Sequence, residues 1–230
     1  MEYSRRKFLR ATGQTVAGAG LLSALPWDVI ARDKARISQN DRINVGVIGA
    51  NGMGWSDAKS FMKIPEVNVM AICDVDQNVI DKRVAEVKEA NLKLQTYSDY
   101  RKLLDNKDID AVIIGTPDHW HCLQMVDACA AGKDVYVEKP VGNSIAECEV
   151  MVNAQKKHNR AVQCGQWQRS MPHFIDALNF LKSGKLGQIR TVKAWAYMGW
   201  MKDIPAKPDS PVPAGVDYAM WLGPAETRPF

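Results

Sequence analysis

Three glycines, an aspartate and a lysine are the residues of this sequence whose types and spacing suit chemistry. Gly49, Gly52 and Gly54 break an apolar run, INVGVIGANGMG at residues 43–54, in which β-branched Val45, Val47 and Ile48 favour an extended strand. A helix-compatible segment through Phe61 follows. A strand that turns tightly into a helix N-terminus aims backbone N–H groups and the positive end of the helix dipole at an anion, the arrangement that cradles a pyrophosphate. The loop reads Gly49-Ala50-Asn51-Gly52-Met53-Gly54, so Asn51 stands where the dinucleotide pattern has its second glycine. Asparagine tolerates a positive φ, and Gly52 is placed to take over the close approach to phosphate.

Asp74 lies twenty residues past Gly54, at the end of a second apolar run at residues 67–73. An acid at this place hydrogen-bonds a ribose 2′-hydroxyl and repels a 2′-phosphate, which points to NAD rather than NADP. An S-adenosylmethionine site shares the loop and the acid but does not account for the segments that follow. Thr116-Pro117-Asp118-His119-Trp120-His121 comes directly after the apolar residues 111–114, at the carboxyl edge of a strand where open α/β sheets bind ligands. Two histidines and an aspartate within four residues invite a metal reading; adjacent loop residues seldom converge on one ion and no partner cluster accompanies them, so no metal is assigned. Asp118 as a helix cap and Trp120 as a core anchor are the structural alternatives. Glu138-Lys139-Pro140 ends the next strand, where a half-enclosed lysine can hydrogen-bond a hydroxyl and stabilise an alkoxide as it develops, or merely form a surface ion pair.

The elements that must position these residues alternate. After the glycine turn come a helix to about Phe61, a strand at 67–73, a helix at 77–91, a short helix at 98–104, a strand at 111–114, a helix from about His119 to a stop at Gly132, and a strand at 135–137. Ser144 and Glu147 form a capping box that opens a helix to about His158, and a strand follows at 161–164. Alternating β and α elements with continuous apolar strands imply a parallel sheet covered on both faces.

The composition, 46% hydrophobic and 24% charged, is that of an ordinary globular chain. Residues 1–40 hold seven Lys/Arg and three acids, which accounts for the whole net charge of +4; the remainder is neutral, against a nucleic-acid footprint. Five cysteines without a CxxC pair read as buried small hydrophobes. Ser4-Arg5-Arg6-Lys7-Phe8-Leu9-Arg10 matches a twin-arginine export signal, and residues 11–26 form a mild apolar stretch too short to span a bilayer stably. The signal predicts a periplasmic or exported protein that meets the twin-arginine translocase already folded, with cofactor loaded beforehand.

Five motifs in order, VGVIGANGMG, AICDVD, IIGTPDHWH, EKP within KDVYVEKPVGNSIAE, and CGQWQRS, resemble the glucose-fructose oxidoreductase / inositol dehydrogenase (Gfo/Idh/MocA) family from about Ile43 onward. The resemblance implies an α/β protein: a Rossmann-type doubly wound parallel sheet, then a second α/β domain with an open antiparallel sheet. The expected organisation is a signal peptide and linker at 1–40, an NAD-binding domain at 41–165, and the beginning of a substrate and oligomerisation domain at 166–230. It implies that Gly49, Asn51, Gly52, Met53 and Gly54 line the pyrophosphate, Asp74 the adenosine ribose, and Thr116, Pro117 and His121 the nicotinamide side. Glu138 would hold the nicotinamide ribose, and Lys139 would be the catalytic lysine directed at the substrate hydroxyl. Gln166, Trp167 and Arg169 fall in a less constant segment and are carried over only as substrate or cofactor contacts.

The implied activity is hydride transfer between a sugar or cyclitol hydroxyl and NAD. The alternatives are a glycosidase that oxidises its sugar transiently through NAD, and a non-catalytic NAD-binding protein. Beyond Gly165 the sequence predicts a helix at 172–181, a half-buried strand at 189–198, and a long irregular proline-rich loop at 202–230 around Tyr218 and Trp221. Trp195, Trp200 and Trp221 are candidates to stack on a sugar, or else core anchors. The family's general acid/base histidine and acid have no counterpart segment here, so the expectation is that the chain ends before the full catalytic set, and that a homo-oligomer forms at full length.

Overall fold

The computed structural model describes residues 41–88, 92–196, 205 and 207–230. Residues 43–230 form one compact unit. The export signal and Trp200 lie outside the described residues.

Six parallel strands make one sheet in the order β3-β2-β1-β4-β5-β6: β1 (Ile43–Ile48), β2 (Val67–Cys73), β3 (Gln95–Tyr97), β4 (Ala111–Ile114), β5 (Asp134–Val137) and β6 (Val162–Cys164). This is the Rossmann order, which reverses direction between β1 and β4 and so opens a crevice there at the carboxyl edge. Helices α1 (Gly52–Phe61), α2 (Gln77–Lys88), α3 (Tyr100–Asp105), α4 (His121–Ala130) and α5 (Ile145–His158) connect the strands.

The central strands β1, β2 and β4 are buried on both sides because the crossovers cover both faces. Val45, Val47, Ile72 and Ile113 pack with Trp55 and Ala58 of α1 and Ile80 and Val87 of α2. Ile48, Val112, Ile114, Val135 and Val137 pack with Leu103 of α3, Met125 and Cys129 of α4 and Met151 of α5. Val69 and Ala71, two residues apart, face opposite sides. The register explains it: Val45 pairs with Val69 and Gly46 with Ala71, leaving Met70 as an extra residue in β2.

The sequence placed most elements and missed some. The three-residue strand β3 was not foreseen, and the helix expected at 98–104 begins at Tyr100 because Asp99 caps it, accepting from the Arg101 N–H. Asp118 is not a side-chain cap; it opens a single 3-10 turn, Asp118–Trp120, before α4. Ser144 caps α5 as expected, accepting from the Glu147 N–H at 3.2 Å.

Beyond β6 come a 3-10 turn, Trp167–Ser170, and α6 (Pro172–Lys182), whose Phe174, Ile175, Leu178 and Leu181 are exposed. The strand expected at 189–198 is not formed over residues 189–196, and 197–198 lie outside the described residues. Alternation supplies a strand's pattern, but its backbone groups need a pairing partner, and among the described residues none is paired there. The fold class is thus the parallel Rossmann sheet, with no antiparallel sheet among the described residues. The proline-rich segment is not wholly irregular: Asp217 accepts from the Met220 N–H and caps a short helix, α7 (Tyr218–Leu222).

Candidate functional site

The carboxyl ends of β1, β4, β5 and β6 are tied in a row. Gly49 N–H donates to Cys73 O, Gly115 N–H to Ile48 O, Glu138 N–H to Ile114 O and Gly165 N–H to Val137 O, all at 2.7–2.9 Å. The parallel register therefore brings the glycine loop, Thr116-Pro117, Glu138-Lys139 and Gln166 to a single edge.

At the β1 turn, Gly49 has φ +84° and a Cβ there would lie 2.7 Å from the Thr116 nitrogen. A Cβ on Gly54 would lie 2.0 Å from Gly49 O, so α1 begins hard against the loop. Asn51 does not take a positive φ: it sits at −113°, and Gly52 carries the left-handed turn at +47°. The Asn51 side chain leaves the helix end uncapped, and its oxygen accepts instead from Arg83 Nη2 at 3.2 Å. Arg83 also donates through Nε to Ala50 O at 2.9 Å, stacks over Trp55 and pairs with Glu86, so a buried cation braces the loop from below.

Asp74 accepts from the Ala50 N–H at 2.8 Å and the Asp76 N–H at 3.1 Å. Burial raises its pKa above the usual carboxylate range, and those N–H bonds offset part of the rise. Gly49, Asn51, Gly52, Met53, Asp74, Thr116 and Pro117 line one cleft of about 790 Å³. Uncapped helix N–H groups, open space beside Gly52 and a carboxylate at the β2 end fit the phosphates and ribose of a dinucleotide.

Gly54, His121, Glu138, Lys139, Gln166, Trp167 and Arg169 do not line that cleft. His121 is 1% exposed; Nδ1 lies 2.7 Å from Pro140 O and Nε2 2.9 Å from Thr116 O, so it is a strut between two loops. Lys139 is exposed, at a cis peptide bond with Pro140. Glu138 is buried, and its Oε2 accepts from the Lys139 N–H at 3.2 Å. Trp167 and Arg169 are exposed on the 3-10 turn after β6, and Gln166 precedes them. His119 Nε2 and the Trp120 indole N–H both meet Trp221 O, at 2.9 and 3.0 Å; Trp120 is buried as a packing anchor, and both tryptophans also line the cleft.

Sequence reasoning missed Asp57. Glu138 Oε1 and Asp57 Oδ2 are buried without a hydrogen-bond partner among the described residues. Burial and the Glu138 charge push the Asp57 carboxyl up to about 6. The Tyr136 phenol is pushed up to about 12 by burial, with Asp57 and Glu138 adding to it. Spacing held a signal: Asp57 follows Gly54 by three and adjoins Ala58, on the inward face of α1, as Arg83 lies between Ile80 and Val87 on α2.

The Gfo/Idh/MocA family model, an oxidoreductase family with an NAD-binding Rossmann fold, matches residues 43–166. The chain belongs to the Gfo/Idh/MocA family. It is 30% identical over 226 residues to glycosyl hydrolase family 109 protein 1 of Shewanella sp. (strain ANA-3), covering 90% of this chain and 49% of that protein. Against the family 109 protein of Shewanella baltica (strain OS185) identity is 31%, with the same coverage. The chain thus spans about half the length of the curated relatives it matches. Among solved structures, apo scyllo-inositol dehydrogenase from Lactobacillus casei superposes with a TM-score of 0.59 at 28% identity, over 65% of this chain and 44% of that one. The same enzyme with NAD(H) and scyllo-inositol bound gives 0.58 at 28%, over 64% and 42%. The Rossmann-type parallel sheet expected from the five motifs is the sheet observed.

Proposed function

We propose that this chain forms the cofactor half of an NAD-dependent sugar or cyclitol oxidoreductase. The observation that carries the reading is the single sheet edge that gathers an uncapped glycine loop, Asp74 and Glu138-Lys139. Gly52 and Met53 N–H groups bind the diphosphate, Asp74 accepts from the adenosine ribose, and the same carboxylate disfavours a 2′-phosphate, hence NAD over NADP. NAD, when bound, supplies the hydride acceptor. Exposed Lys139 donates a hydrogen bond to the substrate hydroxyl and holds its oxygen as negative charge develops. Glu138, pinned by the Lys139 N–H, accepts from the nicotinamide ribose. Residues 41–165 constitute the nucleotide domain and 166–230 begin the substrate domain. The Arg5-Arg6 motif supports export in folded form with cofactor aboard.

Titration of the purified chain with NAD and NADP, followed by tryptophan fluorescence, tests the cofactor assignment: saturable NAD binding at least tenfold tighter than NADP is expected, and equal affinities overturn it. In a protein spanning the full length of the relatives, Lys139→Ala should lower sugar-dependent formation of reduced cofactor by about 10²–10⁴-fold with NAD affinity retained. Unchanged turnover would remove Lys139 from the chemistry.

The identity of 30–31% to family 109 glycosyl hydrolases favours a second reading, in which the sugar is oxidised, loses its aglycone and is reduced again. Release of aglycone from a nitrophenyl glycoside without accumulation of reduced cofactor would select it.

A further inference from the structure

The cleft has a wall that the Rossmann elements do not supply. Residues 213–230 return to the sheet edge and are docked at two places. At the adenosine end, Val216 forms an antiparallel bridge with Asp76, Asp217 N–H donates to Val75 O at 2.9 Å and Gln77 N–H to Gly215 O at 2.8 Å. At the other end, Trp221 O takes the bonds from His119 and Trp120, and a Cβ on Gly223 would lie 2.0 Å from the Trp120 ring. Tyr218 stacks on Trp221 and donates to Pro229 O at 3.0 Å, which folds the end of the segment back over the cleft.

This wall carries Arg228. The charged residues lining the cleft are Asp74, Asp76 and Arg228, so the guanidinium is the one cation among the described residues that line it. Arg228 is exposed and forms no ion pair among the described residues. A diphosphate entering beside two carboxylates meets only about half an elementary positive charge from the helix dipole. An arginine fork offers the full charge and paired N–H donors that phosphate oxygens accept.

We propose that Arg228 binds the diphosphate of the dinucleotide and that residues 213–230 form the outer wall of its site. The inference rests on the NAD reading above. Its test is calorimetric titration of the wild-type chain, Arg228→Ala and Arg228→Lys with NAD, ADP-ribose and adenosine. Arg228→Ala should weaken NAD and ADP-ribose at least tenfold and leave adenosine unchanged, with Arg228→Lys recovering part of the loss. Added salt should weaken wild-type binding more than that of Arg228→Ala. Undiminished affinity of both variants for NAD and ADP-ribose overturns the proposal while leaving the NAD reading intact. An equal loss for adenosine overturns the charge assignment, since adenosine has no phosphate. A wild-type chain that binds none of the three overturns the NAD reading and this inference together.

Discussion

The Asp74 carboxylate accepts the backbone N–H of Ala50 at 2.8 Å, so the acid at the end of β2 is bonded to the loop at the end of β1. One side chain thereby has two duties: it shapes the glycine loop and it presents a carboxylate to the cleft. Asp74→Ala should weaken NAD at least tenfold and narrow its preference over NADP, whereas Asp74→Asn, which retains an oxygen for the Ala50 N–H, should hold the loop but keep the loss of ribose binding. Because burial raises the Asp74 pKa, affinity of the wild type should fall as pH drops and the carboxylate protonates. Fluorescence titrations across pH check all three.

Gly54 has no room for a methyl group, with Gly49 O 2.0 Å from its Cβ position and Gly115 Cα 3.2 Å away. Gly54→Ala must push α1 off the loop, at a cost of about 1–3 kcal/mol or more. Thermal melting should show a midpoint lower by roughly 2–4 °C per kcal/mol for a chain of this size, together with loss of NAD binding.

Asp57 makes stability depend on pH in the sense opposite to an ion-paired carboxylate. Its folded pKa of about 6 lies above the model-peptide value of 3.8, so between these pH values the folded chain holds a proton that the unfolded chain has released. Stability should fall as pH rises from about 4 to 6, by an amount on the order of 1–3 kcal/mol. Asp57→Asn should flatten this segment of the profile and be the more stable protein at pH 8, as urea unfolding at several pH values would show.

His121 bridges Pro140 O and Thr116 O from a position 1% exposed. His121→Ala leaves a cavity and removes the ring N–H that a carbonyl of Pro140 or Thr116 accepts, a loss on the order of 2–4 kcal/mol. Chemical denaturation should register it. Increased hydrogen exchange at residues 139–142 would show that the Lys139 loop has lost its strut.

Much of the fold was legible because a parallel sheet buried on both faces writes its strands as short apolar runs, and helix breakers such as Gly132, φ +79°, end the elements locally. The motif residues were legible for a related reason: close packing at Gly49 and Gly54 and the acid at Asp74 are needs of backbone geometry that few residue types meet. By itself the sequence determined the order of elements, the carboxyl edge that holds the candidate site, and the family. It did not decide that the left-handed turn falls on Gly52 rather than Asn51, that Arg83 braces the loop, or that one carboxyl oxygen each of Asp57 and Glu138 is buried without a partner among the described residues. Nor did alternation at 189–196 make a strand, or proline content keep residues 213–230 away from the cleft. Those outcomes depend on which distant backbone groups meet, and pairing between segments more than a hundred residues apart, as between Asp76 and Val216, leaves no period in the sequence.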